Sequence, residues 1–307
     1  PAVIKAILLA TGDKPGQFDR DTWPTRGIAR APGANTMLYA NGPAWRGQKK
    51  LAAPGFAASA LFRKEVFQEF EATFRKTVGE RLDAFGARHH SVHPDGVEIQ
   101  LETEISAAML EMLTNSFFGA HLTYEEIRHR YVPSIQSLIR HMVRDTMGLR
   151  FLMLGGRGEV QRWRADFEAI TQAALDGRAT KRGAWARFDS DLPDDALRPN
   201  IRVFLAGALE ATTSLASWTM FHLARRPDIQ AKLFAEVKDR DVYDPDALAE
   251  CQTLNDVIQE TLRLTPSLYF LTRVATADTW VEVAEGRLVH LARSHGDARR
   301  AALEGQR

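Results

Sequence analysis

The run from Ile201 to Ala224 constrains the fold most. It is the most apolar long run in the sequence, yet Arg202, Glu210 and His222 interrupt it. Charges at those places argue against a membrane span, so the run reads as a long helix buried among other helices. Within it, Ile201 to Ser214 (IRVFLAGALEATTS) carries a glycine, an acid and two adjacent threonines where core packing favours leucine. A glycine inside a helix costs about 1 kcal/mol relative to alanine, and a carboxylate is rarely buried without a partner. Gly207 and Glu210, one turn apart, therefore mark either an opening onto a ligand or a solvated helix face.

Other segments supply the helices that such a run needs. From Lys64 to Ala87, Val66, Phe67, Phe70, Phe74, Val78, Leu82 and Phe85 recur at spacings of three and four, which predicts an amphipathic helix. The segment Gly96 to Phe118 repeats the pattern through Leu101, Ile105, Met109 and Leu113, with Gly119 as its stop. Thr123 and Glu126 form a capping-box pattern ahead of a helix from Tyr124 towards Arg144. Helices are also predicted over 159–175, from Asp194 or Pro199 to about Arg225, from Asp228, and over 254–264. The glycine-rich tract at 154–159 follows no clear strand and reads as an interhelical turn rather than a phosphate cradle.

Loops and strands fill the remainder. The punctuation at Pro32, Gly33, Asn41, Gly42 and Pro43 favours loops and short strands over residues 1 to 44, with a helix starting near Trp45. Asp176 to Pro193 reads as a mobile surface loop. Short strands are expected at 268–274, 279–283 and 287–291, with a turn at Glu285 and Gly286. No internal repeat or sharp linker divides residues 1 to 307, so one mainly α domain with a small β region is expected.

Bulk composition narrows the function classes. The chain is 45% hydrophobic and 26% charged, an ordinary globular balance. Forty Lys and Arg nearly cancel 39 Asp and Glu, so no strong field points to nucleic acid or an anionic membrane. Cys251 is the single cysteine, which excludes an internal disulfide and a multi-cysteine zinc site and is compatible with a cytoplasmic setting.

Two further patterns carry chemistry. Glu260 and Arg263 share a helix face ahead of Leu264-Thr265-Pro266, and Arg273 follows inside an apolar strand, where it needs an anion or a route to water. Trp45 and Lys49, four apart, also share a face: either an aromatic against a flat cofactor with a cation reaching its acids, or a snorkelling lysine beside a core tryptophan.

Taken in order, Trp45/Lys49 with KLAAPGF, the segment FLAGALEATTS followed by LARRPDIQAKLFAEV, QETLRLTP, Arg273 and the strands to His295-Gly296-Asp297-Ala298 resemble the cytochrome P450 family of haem-thiolate monooxygenases. The resemblance implies a cytochrome P450-like helical fold and haem as cofactor. It places Lys49, where the family usually has arginine, and Arg273 on the haem propionates. Gly207 and Ala208 then lie on the distal haem wall, Glu210 and Thr212 handle protons, and Glu260 with Arg263 holds the fold beneath the haem. An apolar small-molecule substrate, shaped by Met37 to Tyr39 and by the helices from Thr123 to Leu175, is implied, as is a ferredoxin or flavoprotein electron donor.

The departures set further expectations. If Glu210 holds the family's acid position, the threonine position is Ala211; if the helix is rotated so that Ala208 faces the haem, Thr212 can serve. The family's cysteine loop lies downstream of Glu-x-x-Arg, whereas Cys251 precedes Glu260, so it is not carried over as the iron ligand and no metal ligand is assigned. A chain shortened at both ends is the expectation, and a non-catalytic helical small-molecule-binding protein on the same scaffold is the alternative function.

Overall fold

The computed structural model describes residues 2–10, 17–20, 33, 36–57, 63–89, 100–146, 149, 156–180, 183–185, 194–241, 244–268, 273–275, 277–284 and 286–291. The order is helical almost throughout: α1 (Ala2–Leu9), β1 (Phe18–Arg20), α2 (Gly42–Ala52), α3 (Lys64–His89) and α4 (Leu101–Glu111). α5 (Val132–Thr146), α6 (Arg157–Ala179), α7 (Asp194–Ala224), α8 (Pro227–Val237), α9 (Pro245–Ala249) and α10 (Gln252–Leu264) follow. The chain then turns to β2 (Arg273–Ala275), β3 (Thr279–Ala284) and β4 (Arg287–Leu291). β1 pairs antiparallel with β2, and β3 with β4, as two separate two-stranded sheets.

α7 is the organising element. Leu197, Ile201, Leu205 and Leu209, spaced by four, are all buried and form its core stripe. α4 packs along it and supplies Ala107 and Leu110, both fully buried, rather than the Leu101/Ile105/Met109 stripe that its periodicity suggests. Small residues let the two helix axes approach, and the larger side chains remain half-buried at the flanks. Past Glu111 the helix widens into π turns at Met112–Phe117 and stops at Gly119, whose φ is 74°.

The capping box at Thr123 is present in both directions: Thr123 Oγ1 accepts from the Glu126 amide, and the Glu126 carboxylate accepts from the Thr123 amide. A turn (Tyr124–Glu126) and π turns (Ile127–Tyr131) lead directly into α5. Here Tyr124 donates its hydroxyl to Glu104, and Arg128 makes two bonds to the same carboxylate at 2.8 and 2.5 Å. α5 and α6 are joined through buried Asp166, which accepts from Arg130 and Ser134 at 2.7 Å each.

Two expectations need correction and two are narrowed. Residues 1 to 44 are not only loops and strands, because α1 forms over Ala2–Leu9, upstream of the Pro and Gly punctuation. α7 starts at Asp194 and runs through Pro199 rather than starting there. β2 covers Arg273–Ala275, while the middle of the expected 268–274 strand lies outside the described residues. Asp176 to Pro193 is not a surface loop throughout.

In that last segment α6 continues to Ala179, and Trp185 is only 1% exposed. Trp185 sits among Phe56, Phe117, Phe118 and Phe204, with ring centroids 5.3 to 5.6 Å away. Gly177 lets α6 approach the 117–119 backbone so closely that a Cβ there would lie 2.3 Å from the Phe118 carbonyl oxygen. Charge content alone makes the segment look solvated; an aromatic anchor decides otherwise. The first two residues of the 154–159 tract and the His295 to Ala298 element lie outside the described residues, whereas Gly156 caps α6.

Candidate functional site

The candidate site lies around the middle of α7, where several of its side chains become exposed. Gly207, Ala211 and Thr212 are exposed and Ala208 is half-buried, a patch of small residues beside exposed Glu210. A Cβ placed on Gly207 would meet nothing within 4 Å. The glycine therefore has no packing reason among the described residues, and its helical penalty of about 1 kcal/mol calls for another explanation. Close approach of a flat ligand is one.

Glu210 and Thr212 are separated by the helix. Two residues turn by about 200°, which puts the carboxylate and the hydroxyl on opposite sides. Thr212 donates its hydroxyl to the Ala208 carbonyl one turn back. Glu210 instead lines a concave pocket of about 460 Å3 with Glu102, Gln136, Thr213, Ser214 and Ser217. Although the residue retains solvent contact, loss of hydration at its carboxyl pushes the pKa up; Arg140 opposes that and Glu102 reinforces it.

The neighbouring segments meet α7 at two places. Near its start, Asn200 bonds to Gln48 on α2, the helix that carries Trp45 and Lys49. Lys49 Nζ lies 4.6 Å from the centre of the Trp45 ring, a cation–π contact that leaves the ammonium exposed. Further along, Ser267, three residues past α10, donates to the Ala211 carbonyl at 3.0 Å. On α10, Arg263 makes two 2.7 Å bonds to Glu260, and that pairing holds the Glu260 carboxyl below its ordinary pKa, with His222 of α7 adding to the effect. Arg273 opens β2, half-buried, opposite Arg20 in the ladder. α7 thus contacts both the Lys49 helix and the Glu260/Arg263 helix.

Residues 160–283 match the family model described as Cytochrome P450. A cytokinin hydroxylase of Arabidopsis thaliana is 24% identical over 79% of this chain and 49% of its own length. The cytochrome P450 monooxygenase FSL4 of Gibberella zeae is 31% identical over 64% of this chain and 35% of its own length. The solved structure of the cyanobacterial CYP120A1 with retinoic acid bound superposes with a TM-score of 0.65 at 18% identity, covering 90% of this chain and 62% of that one. CYP102L1, another cytochrome P450, gives 0.67 at 20% identity, over 94% and 66%.

The chain resembles the cytochrome P450 family and has its fold.

It spans about half the length, or less, of the curated P450 relatives just named. Haem is the cofactor expected of a P450. Part of the donor set fits it: the packing-free Gly207 face suits a planar macrocycle, and Lys49 presents an exposed cation for a carboxylate. Cys251 does not fit as the axial ligand. It is 0% exposed, stands at the N-cap of α10 and bonds through Sγ to the Ala247 carbonyl at 3.4 Å. Among the described residues no helix is long and apolar enough to cross a membrane, and no cluster of three His, Cys, Asp or Glu could hold a metal.

Two features lay beyond sequence reasoning: the fully buried Asn200 that reaches α2, and the Ser267 contact to Ala211. Each joins residues far apart in the chain, and neither has a local pattern. A polar residue in the α7 apolar stripe region, Asn200 beside Ile201, was the signal available for the first.

Proposed function

We propose that this P450-like chain forms the distal half of a haem-dependent monooxygenase site that oxidises an apolar organic substrate. The observation that carries the proposal is Gly207: a helical glycine on an exposed face of small residues, with empty space where its side chain would be. When bound, the haem would supply the oxygen-activating chemistry. The chain's own residues bind, orient and control protons.

Lys49 and Arg273 orient the two propionates as cations. Gly207, Ala208 and Ala211 admit the ring plane without steric cost. Glu210 holds a proton more readily than an ordinary carboxyl because partial loss of hydration disfavours its charged form, and the open pocket beside it, lined by Glu102, Gln136 and Thr213 as well as by apolar Leu209, Trp218 and Phe221, gives that proton a path to water. Thr212 has its own proton engaged with the Ala208 carbonyl. Glu260 and Arg263, locked to each other, support the fold below the ring. An apolar substrate is consistent with the retinoic acid held by CYP120A1, and electrons come from a ferredoxin or flavoprotein donor, as the family resemblance implies.

Haemin titration of the purified chain, read by the Soret band and by tryptophan fluorescence, tests the proposal. Saturable one-to-one uptake is expected, with Gly207→Leu weakening it at least about tenfold while far-ultraviolet circular dichroism stays unchanged. Uptake that is unsaturable, or indifferent to Gly207→Leu, overturns it. A second reading, a binding protein without catalysis, is favoured by the missing hydroxyl at Ala211 and by the buried Cys251. It predicts apolar ligand binding by iron-free protein that haemin does not displace.

A further inference from the structure

Asn200 is an asparagine that is 0% exposed in the apolar stripe of α7. Its Nδ2 donates to Gln48 Oε1 at 2.8 Å and to the Ala196 carbonyl at 2.8 Å, and its Oδ1 accepts from the Met37 amide at 2.9 Å. Two donors facing two carbonyl oxygens, and an acceptor facing an N–H, leave one orientation of the amide consistent with all three bonds. Gln48 is itself only 6% exposed. The partners lie 152 and 163 residues away in sequence.

A second contact reinforces the same junction. Gly33 adopts φ +109°, and a Cβ there would come within 3.2 Å of Pro199, the residue before Asn200. The chain segment leading to Met37 is therefore seated against α7 at two successive residues. Three segments converge on one buried side chain: the 36–40 turn, α2 with Trp45 and Lys49, and α7 with Gly207 and Glu210.

A buried amide of this kind adds little net stability when fully satisfied, but it strongly disfavours other registers, because any shift strands its donors without water. Apolar contacts between α2 and α7 could slide by a fraction of a turn; the Asn200 bonds cannot. Gln48 immediately precedes Lys49, so fixing the Gln48 side chain fixes the helix phase from which the lysine projects.

We infer that Asn200, through Gln48, is the positioning residue that sets Lys49 relative to the Gly207 face of α7, and that it ties the 36–40 turn to the same reference point. The inference rests on the haem reading above, since Lys49 is positioned for an anionic group on a ligand lying against that face.

The test uses Gln48→Met, which keeps the stem and removes the acceptor, with Gln48→Ala in its place if Met prevents folding, and Gln48→Glu, which keeps an acceptor. Hydrogen exchange of the haemin-free chain is read over residues 42–52. The Met variant should raise exchange there by about tenfold, the low end of the cost of stranding a buried donor, and Glu should restore most of the protection. Haemin affinity is then measured in a cycle with Lys49→Ala. In the wild-type background the lysine substitution should weaken haemin by about fivefold, and in the Gln48→Met background by less than about twofold, because a mispositioned lysine has little left to lose.

Each failure is separable. Unchanged exchange over 42–52 shows that the junction does not hold α2, whatever haemin does. Raised exchange with an equal Lys49→Ala effect in both backgrounds shows a merely structural junction and overturns the positioning role. Absence of saturable haemin uptake by the wild-type chain removes the ligand for which Lys49 is positioned, and the inference falls with the reading beneath it.

Discussion

Two glycine-to-alanine substitutions, both inside helices, should change stability in opposite directions. At Gly207 the added Cβ meets nothing within 4 Å and the backbone is ordinary helix. The substitution therefore gains the helix-propensity difference without a clash, about 1 kcal/mol. At Gly177 the Cβ would lie 2.3 Å from the Phe118 carbonyl oxygen and 2.6 Å from Gly119 backbone atoms. Backbone cannot rotate out of the way, so α6 must lift off the 117–119 turn and loosen Trp185 with it. Overpacking of this kind costs about 1–3 kcal/mol, against which the same propensity gain of about 1 kcal/mol counts. Urea unfolding followed by circular dichroism should move the midpoint up for Gly207→Ala and down for Gly177→Ala, with the slope unchanged. If Gly207→Ala destabilises, the glycine serves packing within the chain, and the argument that it is kept for a ligand is refuted.

Two further outcomes follow from the charged groups. Glu210 has its folded pKa raised above 4.5, so the folded state binds the extra proton and stability falls as pH rises from 4.5 through the folded value. Glu210→Gln should flatten stability against pH in that window and leave the protein more stable at neutral pH; an unchanged profile contradicts the desolvated carboxyl. Glu104 accepts from both Tyr124 and Arg128, so Glu104→Leu strands a half-buried guanidinium and a buried hydroxyl. A loss of about 2–3 kcal/mol in urea unfolding is expected, and a change below about 0.5 kcal/mol shows that water takes over both groups.

Much of this arrangement is legible in the sequence because local rules decide it. The capping box at Thr123, the helix over 64–89 and the α10 helix with its Glu260/Arg263 pair follow from spacing and from side chains three or four residues apart. Periodicity was less reliable for which stripe is buried. Leu82 shares the apolar pattern of α3 yet is 63% exposed, and α4 buries Ala107 and Leu110 in preference to Met109. Burial depends on what packs opposite, and helix period alone does not contain that information.

Long-range junctions were not legible at all. Trp185 lies in a charge-rich segment and becomes core only because Phe56, Phe117 and Phe204 reach it from three other segments. The Asn200 to Gln48 bond spans 152 residues. For the site, the sequence pattern marks Gly207 and Glu210 as anomalous, while the joint proton role of Glu210 and Thr212 is what the family resemblance implies. Their opposite placement follows from helix geometry, and the Ser267 to Ala211 contact brings a hydroxyl from another segment to the backbone of the residue that lacks one.

The account depends on haem lying against the small-residue face of α7. Ferric haemin broadens methyl resonances near the iron, so methyl spectra of alanine-labelled protein test that placement directly. Ala208 and Ala211, half-buried and exposed on α7, should broaden strongly on haemin addition, while Ala174, fully buried in α6, should keep its linewidth. Saturable haemin uptake that leaves Ala208 and Ala211 sharp would place the ligand elsewhere and contradict the account.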